Sequence, residues 1–212
     1  MTSDPCVART RPHPVAECTL SAPASYTALD AAWVAAISRN DHQEAKRLEP
    51  LIEHPPTAVS AVPLVAAALW YAQHGWPVFP CQPGGKQPAC THGFHDATTD
   101  PDQIRAWWAR LPNANIGLPT GLTLDVFDFD GDRHGLWAFN KAAITGADLP
   151  RLRGASATPR GMHLYIPATG HGTKVGIYPG VDYRGAGGYV IVPPSRTPAG
   201  VYRWILPLSK GQ

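Results

Sequence analysis

Leu124-Asp125-Val126-Phe127-Asp128-Phe129-Asp130-Gly131 is the stretch on which the reading of this chain turns. Apolar residues dominate it, and a glycine turn follows. It reads as a buried strand. Side chains on a strand alternate faces, so Asp128 and Asp130 share one. Two carboxylates that close repel unless something positive sits between them, and burying them uncompensated is costly. A hard divalent cation, magnesium or manganese, suits such oxygen donors. The plain alternative is a strand-end turn, since Asp-Gly is a turn pair. Asp125 makes a third acid within six positions, whereas Asp132 reads as solvated.

Two later stretches carry further candidates. In Thr158-Pro159-Arg160-Gly161-Met162-His163-Leu164-Tyr165 a Gly/Pro turn presents Arg160, and His163 sits inside an apolar strand. One strand histidine is ordinarily a satisfied core residue, but the arginine beside it supplies donors for phosphate. From Gly180 to Ser195, Asp182 precedes a Gly-rich turn with Arg184 close by, and the plain reading is a hairpin turn. Upstream, Gly84-Gly85-Lys86 reads equally as an anion nest or an ordinary turn. Cys81, Cys90, His92 and His95 are metal-ligand types, but their spacing departs from that of zinc fingers. Zinc is the lesser reading there, and two buried thiols the greater. Core packing accounts for most tryptophans better than base stacking does, with Trp108 expected to be the most exposed.

The 212 residues are 44% hydrophobic, enough for a core, and the net charge of +2 does not mark a nucleic-acid binder. Twenty glycines and 23 prolines imply many turns. Four scattered cysteines make no disulfide framework. No secretory signal opens the chain, and the apolar run Val59 to Ala72, broken by Pro63, is too short to span a bilayer. A cytoplasmic protein without membrane partners is expected.

Residues 1–25 read as flexible, and 27–38 and 41–53 as two short helices. The main domain is expected from about residue 61, so that 1–60 form a small helical extension and 61–212 the functional domain. Within it, helices are expected over Leu64–Tyr71, from Pro101 with Thr99 or Asp100 as cap, and over Leu136–Thr145. Strands are expected at Trp76–Pro80, Asn115–Pro119, the acidic stretch, Met162–Ile166, Val175–Tyr178, Gly188–Val192 and Tyr202–Ile205. Strands and helices that do not strictly alternate indicate an α+β fold.

In this order, the three acid- and histidine-bearing stretches resemble the archaeo-eukaryotic primase superfamily, and more closely its bifunctional primase/polymerase (prim-pol) branch of phage and plasmid replication proteins. The resemblance rests on Asp128-x-Asp130, on His163 after Thr-Pro-Arg-Gly-Met, and on Val181-Asp182. It is supported by Arg184-Gly-Ala-Gly-Gly-Tyr-Val, Pro193-Pro194-Ser195, Gly75-Trp-Pro-Val-Phe-Pro80, Gly85-Lys-Gln-Pro88 and His92-Gly-Phe-His-Asp-Ala-Thr-Thr99, and it covers about residues 63–206. Met162 stands where that family more often has a polar residue or glycine.

The resemblance implies a primase-like fold: an RRM-like antiparallel sheet plus an α/β subregion. It implies template-dependent nucleotidyl transfer, as DNA primase and polymerase, on single-stranded DNA template and primer with dNTP or NTP. A bacterial host cytoplasm is the implied setting. Asp128, Asp130 and Asp182 would hold two Mg2+ or Mn2+ ions, and His163 would bond the triphosphate. Arg160, Arg184 and Lys86 are the cationic candidates for phosphate oxygens, with Ser195 and His92 as weaker pocket candidates. Relatives often continue into a helicase domain, which leaves room for one C-terminal to this segment. Two alternatives stay open. One is a haloacid-dehalogenase-type phosphatase with Asp128 as nucleophile, although Asp132 stands where that loop wants threonine. The other is a non-catalytic nucleic-acid-binding replication module.

Overall fold

The computed structural model describes residues 63–130 and 152–209. The expected helices over 27–38, 41–53 and 136–145, and Asp132, lie outside them.

Helix α1 (Leu64–Gln73) leads to β1 (Phe79–Cys81), a 3-10 turn (Gly93–Asp96), α2 (Pro101–Arg110), β2 (Asn115–Pro119) and β3 (Leu124–Asp130). Then come β4 (Gly154–Thr158), β5 (Gly161–Pro167), β6 (Lys174–Tyr178), β7 (Val181–Arg184) and β8 (Tyr189–Val192), with β9 (Arg196–Thr197), β10 (Gly200–Val201) and β11 (Arg203–Leu206) last. The described residues form an α+β fold with two α-helices and antiparallel pairing between all named strands.

Local chemistry sets the helix limits. Gly75, at φ 81°, turns the chain just beyond α1. Asp100 caps α2 by accepting from the Asp102 amide at 2.9 Å, and Pro101 opens the helix. Ile104 and Trp108 are four residues apart on α2, so they share the face turned to the core, and both are buried. Trp108 satisfies its indole N–H on the Ala114 carbonyl at 3.0 Å. The expectation that Trp108 would be the exposed tryptophan is therefore wrong; Trp107, one step round the helix, is the partly exposed member of the pair.

A six-stranded sheet runs β11-β4-β5-β3-β7-β6, and a three-stranded sheet runs β1-β2-β8. The acidic strand β3 is thus interior, flanked by β5 and β7. Val126 and Tyr165 from the large sheet join Ile116, Leu118, Val190 and Val192 from the small one in a single core with Ile104, Trp108 and Tyr71 of the helices. Every residue of β2 is buried, as expected of a strand covered on both faces. Its Gly117 lies opposite Phe79, and a Cβ there would run into the phenyl ring.

At the start of β2, the fully buried Asn115 ties two loops together. Its amide nitrogen donates to the carbonyls of Gly85, at 2.8 Å, and Arg196, at 2.7 Å, while its oxygen accepts from the Arg196 amide at 3.0 Å. This fixes the loop carrying Lys86 against the β9–β10 hairpin.

Candidate active site

Register builds the site. In β3, Asp128 lies directly opposite His163 on β5 and Asp182 on β7, and Ser156 on β4 lies opposite His163. Directly opposed residues of antiparallel strands present their side chains on the same face. Ser156, His163, Asp128 and Asp182 therefore form one row across four strands. Asp130 and Arg184, each two residues along its strand, share that face.

Opposite charges meet within the row. Arg184 spans two acids: its guanidinium lies 3.1 Å from Asp128 Oδ2 and 2.9 Å from Asp182 Oδ2. His163 Nε2 lies 3.3 Å from Asp128 Oδ1. Burial by itself would push the Asp128 carboxyl up, but His163, then Arg184, outweigh it and hold its pKa at about 2. Asp182 also accepts from the Gly176 amide at 2.8 Å. Asp130, at the more exposed strand end, pairs with Arg160 at 3.0 Å.

Behind His163 stands Tyr165, fully buried, with its hydroxyl 3.0 Å from Ser156 Oγ and 3.4 Å from His163 Nδ1. Burial pushes that phenol far up, so it stays protonated. In front lies a cavity of about 340 Å3, lined by Lys86, Asp128, His163, Arg184, Tyr189 and Tyr202 among others, with the Gly187–Gly188 backbone. Lys86, distant in sequence, thus faces the same space as Asp128, whereas Asp130 and Asp182 are not among the lining residues.

The other candidates sit elsewhere. Ser195 is fully buried, and its hydroxyl accepts from the Ile116 amide at 2.8 Å, a framework role. His92 is exposed and paired with Asp96 at 2.8 Å, away from the residues that line this cavity. Nor do Cys81, Cys90, His92 and His95 gather round one point. Cys90 Sγ donates to the Gly93 carbonyl at 3.1 Å, and the His95 ring packs on Phe94. Burial first, then Cys90, pushes the Cys81 thiol up to about 12. Among the described residues no three His, Cys, Asp or Glu side chains are grouped to hold a metal ion. At the acids this follows from the arginines: Arg184 lies between Asp128 and Asp182, and Arg160 holds Asp130.

Asp125 faces the other side of β3. It is fully buried, and its Oδ2 accepts from the Thr169 amide at 2.7 Å, the Thr169 hydroxyl at 3.0 Å and the Tyr183 hydroxyl. The third acid of the stretch thus has a local, neutral explanation.

A family model described as bifunctional DNA primase/polymerase, N-terminal, matches residues 68–210. The chain belongs to that family. No curated protein matched the sequence. Membership makes the chain a nucleotidyltransferase of DNA replication, with DNA and nucleotide substrates. Among the described residues no helix is long and apolar enough to cross a membrane.

The family is one of divalent-metal-dependent enzymes, and the donor set here fits such an ion. Asp128 and Asp182 are opposed on adjacent strands, and their oxygens already draw a cationic group between them. Sequence reasoning missed Tyr165 and Tyr202 as neighbours of the site. The alternation in Met162-His163-Leu164-Tyr165 puts Tyr165 on the face of His163 and would have found it; for Tyr202 no local signal exists.

Proposed function

We propose that this chain carries out template-dependent nucleotidyl transfer, as a DNA primase and polymerase, in phage or plasmid replication. Residues 61–212 would be the catalytic domain and 1–60 an extension to it. The observation that carries the reading is the register of β3 with β7, which sets Asp182 against Asp128 across 54 residues of chain. Asp128, Asp130 and Asp182 would hold the divalent ions, magnesium or manganese, which supply charge stabilisation for attack of a 3′-hydroxyl on the nucleotide's α-phosphate and for the departing pyrophosphate.

The chain's own groups do the rest. Asp128, kept ionised by His163 and Arg184, is ready as a ligand at any working pH. His163 Nε2 lies 3.3 Å from Asp128 and, carrying a proton, can donate to a triphosphate oxygen, with the Tyr165 hydroxyl 3.4 Å from Nδ1 behind it. Arg184, on giving up one carboxylate, turns its fork to phosphate oxygens. Lys86 adds positive potential along the same cavity. Arg160 serves the same end at the rim beside Asp130.

The phosphatase alternative wants threonine after the glycine of the Asp128 loop, where this chain has Asp132. The test is incorporation of labelled dNTP with manganese, on a primed template for polymerase activity and on bare single-stranded DNA for primase. Wild-type protein that extends no primer and makes no primer on either substrate would overturn the proposal.

A further inference from the structure

Two tyrosines flank His163 at almost equal distance, their ring centroids 6.0 Å away for Tyr165 and 5.9 Å for Tyr202. Their hydroxyls are treated differently. Tyr165 is sealed in the core and bonds Ser156 and His163. Tyr202 is only 2% exposed, yet its hydroxyl has no hydrogen-bond partner among the described residues, and the residue lines the cavity in front of Asp128. The hydroxyl is not one of the sealed, unsatisfied atoms of the described residues, so it is open to the cavity that the residue lines.

The position is held rigidly. The Tyr202 amide donates to the Ser195 carbonyl at 2.9 Å, and the Ser195 hydroxyl is itself held by Ile116. The ring packs against Phe79, Cys81 and Ile191. A preset, unpartnered hydroxyl at a cavity wall is the arrangement of a ligand contact.

We infer that Tyr202 contacts the sugar of the bound nucleotide, its hydroxyl pairing with a sugar hydroxyl; this rests on the nucleotidyl-transfer reading of the same cavity. A phosphate is the poorer match. A single neutral O–H matches a neutral hydroxyl, whereas phosphate oxygens are matched by cationic donors. The cationic groups of the cavity, Lys86 and Arg184, are left for the triphosphate.

Tyr202→Phe removes an atom that bonds none of the described residues, so its melting temperature should match wild type. Calorimetric titration of both proteins, in manganese, with an NTP, the matching dNTP and the matching 2′,3′-dideoxynucleotide tests the idea. The substitution should weaken the NTP, or both the NTP and the dNTP, by about three- to tenfold, the worth of one hydrogen bond. Loss for both identifies the 3′-hydroxyl as the partner, and loss for the NTP alone the 2′-hydroxyl. The dideoxynucleotide should bind both proteins equally. Equal weakening of all three, or of none, overturns the sugar contact while leaving nucleotidyl transfer standing. Wild-type protein that binds none of the three removes both.

Discussion

Strand β3 carries acids on both of its faces, and the two faces handle them differently. On one, Asp125 is buried and held by neutral donors from Thr169 and Tyr183. On the other, Asp128 meets His163, Arg184 and the opposed Asp182 beside a cavity. A carboxylate held in the interior by neutral hydrogen bonds on one oxygen, its other oxygen buried without a partner among the described residues, is closed off from any ligand. One balanced by charged side chains at a cavity wall stands where those partners can be exchanged for a ligand. The difference between structure and chemistry is here a matter of odd and even positions along one strand.

The strongest way to break this comparison is to remove acids from each face in turn. Asp128→Ala with Asp130→Ala should lower nucleotide incorporation by about a thousandfold or more, since charge stabilisation at a metal site is worth several kcal/mol. The circular dichroism spectrum should stay that of wild type. Loss of the fold would make these acids structural and erase the contrast. Asp125→Ala should behave oppositely. It strips the Tyr183 hydroxyl and Thr169 amide of their acceptor, costing about 1–3 kcal/mol in a denaturant titration. Incorporation per folded molecule should hold; a specific loss of activity would place Asp125 in the chemistry.

Arg184 sharpens the contrast further. Arg184→Ala leaves Asp128 and Asp182 facing each other without their shared cation. In EDTA its melting temperature should fall below wild type by several degrees, and manganese should restore more of the loss in the variant than it adds to wild type. Equal manganese effects on both proteins would mean that the ion does not sit between these acids.

The smallest effect is a pH dependence. With metal chelated, Asp128 titrates at about 2 rather than the ordinary 3.8, because His163 and Arg184 outweigh burial. A depressed carboxyl pKa contributes stability that is present in full above the ordinary value and drains away as pH falls toward the folded one. Between about pH 4 and pH 2, the melting temperature of wild type should therefore drop more steeply than that of Asp128→Asn. Parallel slopes would remove Asp128 as the source.

Much of the site was legible because strand parity is local. Asp128 and Asp130 follow from alternation alone, and α2 from the Asp100-Pro101 start. Asp182 was legible only through the family pattern: the glycines around Val181–Arg184 read as a turn and hid the short strand β7. Strand β4 was missed because Gly-Ala-Ser-Ala-Thr has no large apolar residue, although its neighbours bury it. Ser195 and His92 show the reverse failure. Both stand in family-like stretches, yet nothing local tells a framework hydroxyl or an exposed ion pair from a cavity group. Tyr202 joins His163 only through the order of strands in a sheet, which no window of sequence contains.

Asn115 makes the loop of Lys86 and the hairpin leading to Tyr202 a single mechanical unit, joined by one amide that spends both its nitrogen and its oxygen on the link. The two walls cannot be widened independently. An acid in its place would keep the size but turn a double donor into an acceptor facing two carbonyls, so both sides would slacken together. The spacing of the cavity walls that carry Lys86 and Tyr202 is thus set by a residue outside the cavity lining.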